Sequence, residues 1–167
     1  MSDAIMSDEI TIRPAGEHEV PVILQFIRDL AKYEHLEHEV VATEAMLREV
    51  LFGKRSYAEV VFACLDGEPV GFALFFHNFS TFLGRPGIYL EDLFVRPEAR
   101  GHGVGRRLLS WLAATAVSRN CGRLEWAVLD WNEPSIRFYR NLGAVSLDQW
   151  KTFRVTGPAL PQLAERR

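Results

Sequence analysis

Two adjacent carboxylates, Glu91 and Asp92, interrupt the otherwise apolar run YLEDLFV at residues 89–95. Neighbouring residues of a regular strand face opposite sides, and a carboxylate on a covered face is costly without a partner or a task. One task that fits is work on a cation. A primary amine, with a pKa near 10.4 in the lysine model, arrives protonated at neutral pH and must lose a proton before it can attack an electrophile. An ion pair with an arginine would satisfy the same carboxylates.

A second set of residues suits an anion. RGHGVGRRLL, from Arg100, places Gly101, Gly103 and Gly105 at alternate positions directly before a strongly helical stretch. A helix N-terminus carries unpaired N–H groups and about half a positive charge. Glycines before it let several N–H groups converge and let the anion approach the backbone. The spacing G-x-G-x-G is neither the dinucleotide pattern G-x-G-x-x-G nor a phosphate loop ending in Gly-Lys. The residues alone therefore specify a phosphate-bearing ligand at the start of a helix from about Gly103. Charge follows the same division. YEHLEHEVVATEAML, from Tyr33 to Leu47, holds Glu34, Glu37, Glu39 and Glu44 and no Lys or Arg, whereas Arg96 to Arg107 holds four arginines and one acid, Glu98.

The elements that position these residues follow from periodicity. EITIR alternates as a short strand. Val20, Ile23, Leu24, Ile27, Leu30 and Ala31 share one face of a helix whose first turn tolerates Pro21. A second helix is predicted from Thr43, a candidate N-cap, to Phe52. AEVVFACL and PVGFALFFHNF read as strands joined through the hairpin signal DGEP. IYLEDLFV, RLEWAVLD and VSLDQWKTFRV read as further strands. NEPSIRFYRNLG reads as a short helix with Asn132 as N-cap and Gly143 just past its end. The order β-α-α-β-β-β-α-β-α-β predicts one α/β domain, residues 9–167, with a mixed, mostly antiparallel sheet and about four helices, preceded by a flexible terminus at residues 1–8.

The chain has 167 residues, is 48% hydrophobic and carries a net charge of −3. That composition supports a packed core and gives little support to nucleic-acid binding. No apolar run approaches the length of a membrane span, and the first residues lack the pattern of a secretory signal, so a cytoplasmic location is expected. Cys64 and Cys121 have no metal-type spacing and are expected to be reduced core thiols; no metal is expected.

VRPEARGHGVGRRLL resembles the acyl-CoA signature of the GCN5-related N-acetyltransferase (GNAT) superfamily, read as Arg100-Gly101-His102-Gly103-Val104-Gly105. LAKYE, YLEDLFV and WNEPSIRFYRNLGA are similar, in order and spacing, to its spermidine/spermine N1-acetyltransferase branch, which includes diamine and thialysine enzymes. The resemblance implies acetyl-CoA as co-substrate, its pyrophosphate wrapped by Arg100 to Arg106 and its pantetheine arm running along the backbone of Leu93, Phe94 and Val95. Asn132, Glu133, Pro134 and Ser135 would contact CoA from the other side. The sheet would splay between YLEDLFV and RLEWAVLD, with a bulge at the acids. Glu91 would assist deprotonation of the amine, Tyr139 would protonate the departing thiolate, and Tyr33, Glu34, Asp92, Glu125, Trp126 and Ala127 would line the amine site. The segment AVSLDQWKTF is shorter than in the polyamine enzymes and keeps only Asp148 of their acidic run. A diamine, a lysine-like amino acid or another small amine is therefore as plausible an acceptor as a polyamine. A protein lysine or N-terminus is an alternative acceptor, and a sensor that binds acyl-CoA without turnover is an alternative of another class. The branch resemblance also implies a homodimer.

Overall fold

The structure is a computed structural model that describes residues 9–166. The terminus at residues 1–8 lies outside the described residues. The chain packs as two units divided after Ala127, and each is described by itself.

The first unit holds the sheet. Its elements are β1 (Thr11–Pro14), α1 (Val20–Tyr33), α2 (Glu44–Phe52), β2 (Glu59–Leu65), β3 (Glu68–Ser80), β4 (Arg85–Val95), α3 (Val104–Ser118) and β5 (Leu124–Trp126). The strands lie in the order β1-β2-β3-β4-β5; every pairing is antiparallel except β4 with β5. This is the mixed, mostly antiparallel α/β architecture expected from the sequence. Asp66 and Gly67, with φ of 51° and 84°, form the two-residue turn between β2 and β3. Both left-handed conformations are those of a type I′ hairpin.

Each face of the sheet carries its own apolar layer. On one, α1 and α2 set Phe26, Ile23, Leu47 and Leu51 against Phe62, Phe72 and Phe94. Phe26 stacks on Phe72 at 5.1 Å between ring centroids. On the other, α3 brings Trp111 to 6.0 Å from Phe75 and buries Leu108 and Leu112. Fully burying side chains of this size contributes about 2–3 kcal/mol each. The entry to α1 is fixed by Glu19, which takes two 2.8 Å hydrogen bonds from Arg13 and one from the Gly16 N–H.

The second unit contains α4 (Glu133–Asn141) and α5 (Ala159–Ala164). Asn132 caps α4, accepting a hydrogen bond from the Ser135 N–H, and Gly143 follows the helix with φ of 89°. Two predicted strands are corrected here. β5 covers only Leu124–Trp126 of RLEWAVLD, and residues 145–155 form no strand. Alternating apolar residues make a strand possible, but a hydrogen-bonded neighbour makes it a strand. No described ladder extends beyond Trp126.

Candidate active site

β4 holds the central irregularity of the sheet. Its register with β3 runs Phe72↔Phe94, Ala73↔Leu93 and Leu74↔Asp92, then jumps to Phe75↔Leu90. Glu91 is the extra residue of a β-bulge. Without it, Asp92 would share the face of Leu90, which looks toward α3. The bulge turns Asp92 to the α1 side, in line with Leu74, Phe72 and Phe94. The apolar run thus accommodates its two acids by breaking the alternation at Glu91.

Three carboxylates interact at this point. Glu91 is exposed on the bulge, and Asp92 is largely buried beside it. Burial first, then the charges of Glu91 and Glu34, push the Asp92 carboxyl up to about 7. Burial also raises Glu34 above the ordinary carboxylate range. Glu34 arrives at the end of α1, where His35 adopts φ of 60° and the Leu36 N–H closes on the Ala31 carbonyl at 2.8 Å. This left-handed closure stops the helix and reverses the chain at Glu34.

The backbone beyond the bulge lacks its second strand. Pairing with β5 ends at Leu90↔Trp126, while β4 continues to Val95. The Arg96 N–H bonds the Val70 carbonyl across the β3 side. Alternation then turns the backbone groups of Phe94 toward β3 and those of Leu93 and Val95 toward the side β5 has left. The Val95 carbonyl accepts a 2.9 Å hydrogen bond from Arg100 Nε. The Arg100 guanidinium lies over the rings of Tyr33 and Phe94, 5.2 and 5.3 Å from their centroids. A cleft of about 460 Å³ opens here, lined by Asp29, Lys32, Tyr33, Phe94, Arg96, Pro97, Glu98 and Arg100.

The glycine stretch meets the physical requirements of an anion cradle. Gly101 and Gly103 have φ of 81° and 82°, and a Cβ at either would meet open space. Gly103 is the N-cap of α3 and offers no side-chain acceptor; the first helical bond runs from the Arg107 N–H to the Gly103 carbonyl. The N–H groups of Val104, Gly105 and Arg106 precede it and stand at the positive end of the helix. His102 contacts the Arg100 carbonyl through Nδ1 at 3.0 Å. These residues fit a pyrophosphate held by backbone.

Other expected residues are placed differently. Glu125 lies opposite Tyr89. Its carboxylate is engaged by Asn78 Nδ2 at 2.8 Å and by Arg123, whose Nε is also 2.8 Å away. Trp126 sits opposite Leu90 and so shares the α3 face, away from the acids. Ala127 closes the first unit. Asn132, Glu133, Pro134, Ser135 and Tyr139 belong to the second; Tyr139 is half-buried on α4, its ring 5.4 Å from that of Phe138. Sequence reasoning missed Asn78 and Arg123, which carry no motif. Of the two adjacent acids on β4, Asp92 is the one whose carboxyl is raised to about 7.

The described residues contain no helix long and apolar enough to cross a membrane, and no group of three or more potential metal ligands.

A mixed sheet that loses its last pairing beside a bulge thus lies next to a glycine-led helix N-terminus. The acetyltransferase (GNAT) family matches residues 24–144, and the chain belongs to that family: it is an acetyltransferase. It is 39% identical over 168 residues to a thialysine N-epsilon-acetyltransferase of Bos taurus, covering 93% of this chain and 97% of that protein. It is 32% identical over 194 residues to an L-ornithine N5-acetyltransferase of Arabidopsis thaliana, covering 89% and 85%. Among solved structures, an integron cassette protein from the mobile metagenome of V. cholerae superposes with a TM-score of 0.78 at 28% identity, covering 93% of this chain and 98% of that one.

Proposed function

We propose that this acetyltransferase moves the acetyl group of acetyl-CoA to the terminal primary amine of a small cationic molecule, a lysine-like amino acid, diamine or polyamine. The observation that carries this reading is the interaction of Glu34, Glu91 and Asp92 at the bulge, where β4 parts from β5. Three acids around one point attract an ammonium group. The relatives named for thialysine and ornithine point to the same class of acceptor.

In this reading the backbone of Gly101 to Arg106 holds the pyrophosphate, and the outward groups of Leu93 and Val95 align the pantetheine arm. Asp92 takes the proton from the bound ammonium, directly or through water, and Glu91 relays it to solvent. The freed amine attacks the acetyl carbon; the C–N bond forms as the C–S bond breaks. A backbone N–H of Leu93 or Val95 polarises the carbonyl. Tyr139 gives a proton to the departing thiolate, balanced by the second proton that the new amide nitrogen loses, a role that rests on the family resemblance. Both substrates are bound together, so no acyl-enzyme forms. A homodimer and a cytoplasmic location complete the proposal.

The pH dependence of kcat/KM for amines tests it. A carboxyl near 7 must be ionised to receive a cation and its proton, so kcat/KM should rise with pH through about 7. Asp92→Asn should lower kcat/KM by about 10²-fold or more, the usual range for a positioned base, and abolish that limb. A variant with the wild-type rate and profile would remove Asp92 from the chemistry.

A further inference from the structure

From the Asn78–Arg123–Glu125 group we infer that the acceptor is an α-amino acid, whose carboxylate and α-ammonium are bound by Arg123 and Glu125 while its side-chain amine reaches Glu91 and Asp92. The inference rests on the proposed amine acetylation and names the acceptor within it.

The face is fixed by pairing. Asn78 lies opposite Gly87 and Phe76 opposite Tyr89, all on the side to which the bulge turns Asp92. Glu125 stands opposite Tyr89 on the same side. Arg123 crosses this surface because Gly87 has no side chain: a Cβ there would lie 2.9 Å from Arg123 Cγ and 2.4 Å from Asn78 Oδ1. The guanidinium is held from two directions, by Glu125 through Nε and by a 3.2 Å hydrogen bond from Nη2 to the Phe79 carbonyl. The Nε contact is ionic, its N–H finding no hydrogen-bond acceptor. The Arg123 side chain remains 35% exposed and that of Glu125 29%. A held arginine with donors left over is a ready receptor for a carboxylate.

Length and charge agree. Glu125 is level with Tyr89, two to three strand residues from Glu91 and Asp92, or about 7–10 Å; an extended lysine spans roughly 7–8 Å from α-nitrogen to terminal nitrogen, and Arg123, held against Glu125, stands beside it for the carboxylate. The half-buried pair Phe76 and Tyr89, 5.3 Å between centroids, lies between and offers an apolar surface to the methylene chain. A zwitterionic head matches a guanidinium–carboxylate pair. The second ammonium of a diamine would meet the Arg123 charge instead. Arg85 shares this face but lies two residues beyond Gly87, further from the acids.

The experiment compares kcat/KM for L-lysine, lysinamide and cadaverine, which share one amine tail, and for L-ornithine against putrescine. Wild-type enzyme should favour each amino acid over its carboxylate-free partner by about tenfold or more, as expected where a charged group loses its partner at a half-exposed site. The product should carry acetyl on the side-chain nitrogen. In Arg123→Gln the lysine-to-cadaverine ratio should fall to about one. If that variant fails to fold, Arg123→Lys and the lysinamide comparison on wild-type enzyme decide. Equal use of cadaverine and lysine by the wild type would overturn the inference while leaving amine acetylation standing, as would an unchanged ratio in a folded variant. If no amine in the set is acetylated the inference falls, and if spermidine and spermine also go unacetylated the proposed function falls with it.

Discussion

Ionising a carboxyl buried in an apolar strand costs free energy, and Asp92, raised to about 7, carries that cost into the stability of the fold. Its folded value lies above its ordinary 3.8, so the folded state holds the proton more tightly than the unfolded state. Stability attributable to this group therefore falls as pH rises from about 4 to about 7 and stays low above that. Asp92→Asn should raise the melting temperature at pH 8 relative to wild type and leave it nearly unchanged at pH 4. Equal melting curves at pH 8 would place Asp92 in a far more hydrated setting. Glu34 offers an independent check. Its negative charge helps raise Asp92, so Glu34→Gln should move the acidic limb of kcat/KM to lower pH. A limb that stays in place would mean that the two groups do not interact. The two acids were visible in YLEDLFV, and so was the conflict they pose for an apolar strand. Which of them is turned inward depends on a one-residue register jump against Leu74 and Phe75. A period of two cannot reveal a residue that breaks it.

At the scale of elements, the proposed pyrophosphate site is the start of α3. Gly103 has φ of 82° and precedes a first turn with no side-chain cap. Gly103→Val would force a β-branched residue into that region, at a cost of about 1–2 kcal/mol. It should weaken acetyl-CoA binding measured by calorimetry on the folded variant, and an unchanged Kd would remove the pyrophosphate from this loop. The side chain of Arg100, stacked over Tyr33 and Phe94, contributes by joining α1 to β4. The join between β1 and α1 depends on Arg13 and Glu19. Hydrogen bonds from Arg13 hold the Glu19 carboxyl down at about 2, against an ordinary 4.5. Its contribution is present above pH 4.5 and lost as pH falls toward 2. Glu19→Gln should lower stability by about 1 kcal/mol at pH 7, discounted for the exposed arginine, and the two melting curves should converge near pH 2. A constant difference across that range would point to packing rather than charge. The caps at Thr43 and Asn132, the DGEP hairpin and the glycine loop were legible because each is set by a few adjacent residues. The extent of β5 was not, because a strand's length is decided by its partner.

For the molecule as a whole, the order of elements through Trp126 followed from periodicity and turn residues, and the family was legible in the glycine signature. Asn78, Gly87, Arg123 and Glu125 come from three separate strand regions, and only the β3–β4–β5 register assembles them. The same register sets the acids of β4 beside the end of α1. The central claim is that this assembly transfers acetyl from CoA to a small amine. The most direct measurement follows free CoA thiol and the mass of the amine product together, with acetyl-CoA and a panel of amino acids, diamines, polyamines and a lysine-containing peptide. Thiol release should require a small amine, match the acetylated product one for one, and be lost in Asp92→Asn. Tight binding of acetyl-CoA with no product from any amine, or acetylation of the peptide alone, would contradict the account.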